Sequence, residues 1–93
     1  NGAAFPDVVH PDGSIQDEDR IDYIRDHVQA VSDAVAAGAP VRGYFVWSLL
    51  DNFEWAEGYA RRFGLVHVDF ATRTRTPKTS YGWYRELLRE QHR

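Results

Sequence analysis

The chain has no cysteine and no methionine among its 93 residues. Without cysteine this stretch has no disulfide, no zinc–thiolate site and no thiol nucleophile. Without methionine, Asn1 is not expected to be a translation start. No apolar run approaches the roughly 18 to 20 residues that span a bilayer, so no membrane partner is expected. Internal repeats and low-complexity segments are missing too. His10, His27, His67 and His92 show no ligand spacing, so no metal and no other cofactor is expected. The basic stretches lack interleaved aromatics of the kind that stack on bases, which argues against nucleic acid as a partner.

Aromatic residues, by contrast, are plentiful: three Trp, five Tyr and five Phe make up 14% of the chain. A domain this small buries only a modest share of its surface. So much aromatic surface points to a ligand site, or to contact with protein outside the chain. The net charge of −3 is unevenly spread. Residues 1–40 hold eight Asp/Glu against two Arg, and residues 41–93 hold six against nine Lys/Arg. Opposing surface charge on two helical layers accounts for this better than a nucleic-acid site does.

Asn1 to Gln16 reads as loop, with Pro6, Pro11 and the Asp12-Gly13 turn signal. Asp17 is the expected N-cap of a helix, with Glu18 and Asp19 in its first turn, where the dipole favours negative charge. Ile21, Ile24, Val28, Val31 and Val35 then step by three and four, one apolar stripe on a helix of roughly 20 residues. Gly38 stands where a C-terminal glycine belongs, and Pro40 prevents continuation. The stripe is too short for a coiled-coil seam and suits a surface helix packed on a sheet.

Val41 to Leu50 reads as a strand, almost continuously apolar from Gly43 onward. A continuous run means both faces are buried, as in the parallel strands of α/β proteins. Asp51 to Gly64 is a long loop rich in aromatics and charge. Leu65 to Phe70 alternates as a short strand or extended arm does, and Thr72 to Thr76 is polar and turn-like. Pro77 favours a helix first turn nearby, and Tyr81, Tyr84, Leu87 and Leu88 give a final helix its apolar side. Helix, short loop, buried strand, long loop, helix is the rhythm of a (β/α) barrel. A barrel needs eight strands, so this chain cannot close one.

Trp47-Ser48-Leu49-Leu50-Asp51-Asn52-Phe53-Glu54-Trp55 carries the chemistry. Two indoles bracket a carboxylate at the end of a buried strand, and a pyranose needs such a set. Its CH face stacks on an aromatic ring, and its hydroxyls need an acceptor in fixed geometry. On residue type alone Trp47 also reads as barrel core, and Glu54 as a surface acid of the loop.

The run closely resembles the C-terminal signature of the glycoside hydrolase family 1 β-glucosidases. The likeness continues through Gly58-Tyr59, Arg62-Phe63-Gly64-Leu65, Val68-Asp69 and Arg75-Thr76-Pro77-Lys78, and begins at Asn1-Gly2-Ala3-Ala4-Phe5. It implies an α/β fold, the C-terminal portion of a (β/α)8 TIM barrel. Residues 1–93 would hold the loop after strand 7, helix 7, strand 8, a long loop and helix 8. It also implies a retaining enzyme that removes terminal β-D-glycosyl residues with two carboxylates about 5 to 5.5 Å apart. In the family the nucleophile directly precedes the Asn1 segment, and the acid/base follows an earlier strand. Glu54 and Glu57 are therefore not that pair, and no catalytic residue is expected here.

What the resemblance does assign is substrate binding. Trp47 becomes the platform under the sugar ring, Glu54 the acceptor for the 4- and 6-hydroxyls, Trp55 an N–H donor to the 3-hydroxyl, and Phe63 an apolar wall near the 6-position. Branches acting on 6-phosphorylated sugars carry serine where Glu54 stands, so the implied partner is an unphosphorylated β-glycoside. The other implied partner is the remainder of the barrel polypeptide. The alternatives are a carbohydrate-binding module without catalysis and a structural complement that folds only against the missing barrel.

Overall fold

The computed structural model of the chain describes residues 2–52 and 62–91. Its elements run α1 (Glu18–Ala36), β1 (Val66–Val68), β2 (Arg75–Pro77) and α2 (Thr79–Gln91). α1 follows the apolar stripe. Ile21 and Ile24 are buried, each a contribution of about 1.5 to 3 kcal/mol by apolar burial. The stripe then runs out of cover, since Val28 and Val31 are half-buried and Val35 is exposed. α2 packs against α1, with the Arg25 guanidinium 5.6 Å from the centre of the Trp83 ring.

α1 ends in a Schellman motif. The Ala39 N–H donates to Ala34 O and the Gly38 N–H to Val35 O, with Gly38 at φ +101°. Its start falls at the expected N-cap, Asp17, but without a capping side-chain bond. Asp17 precedes the helix, and its backbone oxygen accepts from the Arg20 and Ile21 N–H groups, but its side chain caps nothing in α1. The carboxylate turns to Arg20 and to Ser80 at the first turn of α2. A buried guanidinium and two donors outcompete one exposed helix N–H.

Leu65–Phe70 does contain the expected strand, as β1. Its antiparallel partner β2 falls on residues read as turn and helix start, in the register Val66↔Pro77, His67↔Thr76, Val68↔Arg75. The true turn lies between them, where Asp69 Oδ1 accepts from the Ala71 and Thr72 N–H groups and Arg73 takes φ +66°. Pro77 closes β2, and α2 opens two residues on, at Thr79.

Val41–Leu50 departs most from expectation. Among the described residues it forms no strand, only an isolated parallel bridge from Leu50 to Val66. Only one of its faces is covered. Ser48 is buried and Tyr44, Val46 and Leu50 are half-buried, while Phe45, Trp47 and Leu49 are 84%, 53% and 58% exposed. The continuous apolar run predicts two covers, and the described residues supply one.

Candidate functional site

The N-terminal segment, the end of the apolar run and the residues from Arg62 to Leu65 meet at one place. Gly2 lies against Trp47 so closely that a β-carbon there would stand 2.0 Å from the Trp47 carbonyl oxygen. Three residues on, the Phe5 N–H donates to Arg62 O at 3.2 Å. The Ser48 N–H donates to Phe63 O at 3.3 Å, and the Leu65 N–H to Ser48 O at 3.0 Å. Trp47 and Phe63 thus sit on adjoining paired segments, Trp47 exposed and Phe63 half-buried. Ser48 turns inward, its hydroxyl donating to Leu50 O at 2.8 Å. Of the four predicted substrate-binding residues, the structure brings these two together. Glu54 and Trp55 lie outside the described residues.

Beneath them is a set of charges that residue-by-residue reading leaves aside. The buried Asp51 carboxylate accepts from Lys78 Nζ at 2.9 Å, Arg62 Nη1 at 2.7 Å and the Gly64 N–H at 3.0 Å. Burial alone would raise this carboxyl. The hydrogen bonds from Lys78 and Arg62 outweigh it and hold the group below its ordinary value. Arg20 shows the mirror case, where burial opposes the charge and the hydrogen bonds it donates to Asp7 and Asp17 overcome it, raising the guanidinium. His67 on β1 is held down by burial and by the positive charge of Arg62. The sequence does carry a signal for Asp51, a lone acid closing a long apolar run. Arg62 and Lys78 stand in the quoted motifs, with nothing in their spacing to show that they converge.

The sequence profile of glycosyl hydrolase family 1 matches residues 1–93, the whole chain. The chain belongs to glycosyl hydrolase family 1. The 1,4-beta-D-glucan glucohydrolase of Thermotoga neapolitana is 55% identical over 89 residues, covering 96% of this chain and 20% of that protein. The 6-phospho-beta-galactosidase of Leptotrichia buccalis is 49% identical over 87 residues, 94% of this chain and 18% of its own length. Among solved structures, the family 1 β-glucosidase from Thermotoga maritima superposes with a TM-score of 0.93 at 54% identity, over 96% of this chain and 20% of that one. The chain therefore spans about a fifth of the length of these family 1 relatives. Its structural neighbours are TIM-barrel β-glucosidases, of which two helices and two strands are a small piece.

Proposed function

We propose that the chain is the C-terminal portion of the (β/α)8 barrel of a retaining β-glucosidase-type enzyme. In this reading it supplies one wall of the sugar pocket and neither catalytic carboxylate. The observation that carries it is the contact of Gly2 with Trp47. On the family resemblance the nucleophile precedes Asn1, and this contact supports a nucleophile close to the proposed sugar platform. The exposed row of Phe45, Trp47 and Leu49 supports it as well, since a barrel interior would cover that face.

Trp47 then stacks on the ring, Glu54 accepts from the 4- and 6-hydroxyls, Trp55 donates to the 3-hydroxyl, and Phe63 bounds the 6-position. A charged acceptor in a partly dry pocket makes hydrogen bonds about twice as strong as neutral ones. The β-glucosidase from Thermotoga maritima has been solved in complex with glucoimidazole and with galacto-hydroximolactam. Glucose and galactose both stay candidates for the ring. The likeness to a 6-phospho-beta-galactosidase makes the 6-position decisive, because a carboxylate at position 54 repels a phosphate there.

The test is a chimera in which this chain replaces the matched segment of the Thermotoga maritima β-glucosidase. It is expected to hydrolyse an aryl β-glucoside with retention and to prefer it over the 6-phosphorylated form. Glu54→Gln is expected to lower kcat/KM by about tenfold to several hundredfold, the loss of one or more charged hydrogen bonds. The chain by itself is expected to be inactive. An unimpaired Glu54→Gln chimera removes Glu54 from the pocket, and an inactive wild-type chimera overturns the assignment.

A further inference from the structure

A guanidinium from the first turn of α1 is buried where three segments cross. The Arg20 side chain is 1% exposed. Its fork closes on Asp7, with Nη1 donating to Oδ1 at 2.8 Å and Nη2 to Oδ2 at 2.9 Å. Nη1 also donates to Asp17 in front of the helix, and Nη2 to the Arg62 carbonyl oxygen at 2.8 Å. The same group lies 5.3 Å from the centre of the Phe5 ring, inside cation–π range. Asp7 takes Lys78 Nζ as well, at 2.6 Å, and through it the ionic series continues to Asp51 and Arg62. Arg20 Nε, by contrast, is buried without an acceptor among the described residues. An unmet buried donor costs stability, and such breaches are expected where a residue serves a site.

What Arg20 holds is the bridge between Phe5 and Arg62. The Arg62 carbonyl oxygen takes two donors, the Phe5 N–H at 3.2 Å and Arg20 Nη2. That carbonyl shares one rigid peptide plane with the Phe63 nitrogen, so fixing it sets the direction in which Phe63 leaves the bridge. The next carbonyl, that of Phe63, accepts from the Ser48 N–H beside Trp47. On the other side of the bridge, Asp7 and the Phe5 ring pin the N-terminal segment, whose Gly2 abuts the Trp47 carbonyl oxygen. Both lines of contact that leave Arg20 therefore end at Trp47 and Phe63. A close-packed interior passes a displacement along such lines, and about 1 Å is enough to loosen a pocket wall.

We propose that Arg20 is a positioning residue for the sugar pocket, setting Phe63 against Trp47 through the Phe5–Arg62 bridge. This rests on the reading of Trp47 as the platform and of Phe63 as the wall near the 6-position. The experiment uses the chimera and compares an aryl β-glucoside with the aryl β-xyloside, which has no 6-carbon to meet that wall. The ratio of the two kcat/KM values does not depend on how much of the enzyme is folded, so a merely structural role leaves it alone. Phe63→Ala is expected to lower the glucoside-to-xyloside ratio about tenfold, the lower end for one carbon's worth of apolar contact. Arg20→Lys keeps the charge but loses the fork, and is expected to lower the ratio about fivefold. The double variant is expected to stay within about twofold of Phe63→Ala, because Arg20 acts through the wall already removed. Asp7→Asn leaves the guanidinium in place and loosens its hold. It serves where Arg20→Lys does not fold, and is expected to lower the ratio by about twofold to threefold. A wild-type ratio in Arg20→Lys, or in Asp7→Asn where that variant stands in for it, overturns the proposal if Phe63→Ala lowers the ratio. Independent multiplication in the double variant overturns it too, and leaves Arg20 a structural residue. A ratio unmoved by Phe63→Ala itself, or an inactive wild-type chimera, overturns the pocket reading first and this proposal with it.

Discussion

Ser80 donates both its backbone N–H and its hydroxyl to the carboxylate of Asp17, 63 residues earlier in the chain. The acid in front of α1 thereby satisfies a first-turn donor of α2, and Arg20 Nη1 shares the same carboxylate. One side chain fastens the starts of both helices.

Asp17→Ala removes that fastening and takes one of its two carboxylate partners from the buried Arg20 guanidinium, leaving it Asp7. The expected loss is about 3 to 5 kcal/mol, the range for breaking a buried pair from one side. Asp17→Asn keeps an acceptor for Ser80 and should lose less. Guanidinium unfolding of the chimera measures both, and equal stability of Asp17→Ala and wild type would show that the contact carries no weight.

Two glycines should respond to alanine in opposite directions. At Gly64 a β-carbon would stand 2.4 Å from Asp51 N and 2.6 Å from the Leu50 carbonyl carbon, and backbone cannot step aside. Gly64→Ala is expected to cost about 1 to 3 kcal/mol or more, as overpacking does. At Gly82, inside α2, the same atom meets nothing within 4 Å. Gly82→Ala is expected to stabilise by about 0.5 to 1 kcal/mol, because alanine gives up less backbone freedom on entering a helix. The unfolding midpoints of the two variants should fall on either side of wild type.

Asp51 sets an acid limit. Its folded carboxyl lies below the ordinary 3.8, so the stability it contributes is fully present above that value. That contribution is lost as pH falls through the lower folded value, where the carboxylate finally takes a proton. Asp51→Asn should therefore be less stable than wild type at pH 7, by roughly 3 kcal/mol or more. The gap should begin to narrow below about pH 4 and close only under the lower folded value. Unfolding curves across that range read it directly, and a gap independent of pH would mean that the charge of Asp51 is not what Lys78 and Arg62 hold.

The helices were legible because their signals are local. Ile21 and Ile24 sit at helical spacing, and Gly38 with Ala39 completes a stop that six residues can form without help. The Arg75–Pro77 strand was not legible, since three polar or imino residues say nothing until Val66–Val68 lies beside them. The run Val41–Leu50 promised two buried faces, and among the described residues only one of them is covered. Of the proposed pocket, Trp47 and Phe63 do fall on adjoining segments. The ionic series beneath them was hidden because Asp7 and Lys78 are 71 positions apart, and only the folded chain brings opposite charges so distant into contact.

The alternation along Phe45, Trp47 and Leu49 has a practical side for anyone producing this polypeptide alone. Three large greasy side chains on every second residue make a ready surface for a second copy, a detergent micelle or a chaperone. Its behaviour on a sizing column will report how that ribbon finds company, before it reports anything about the two helices behind it.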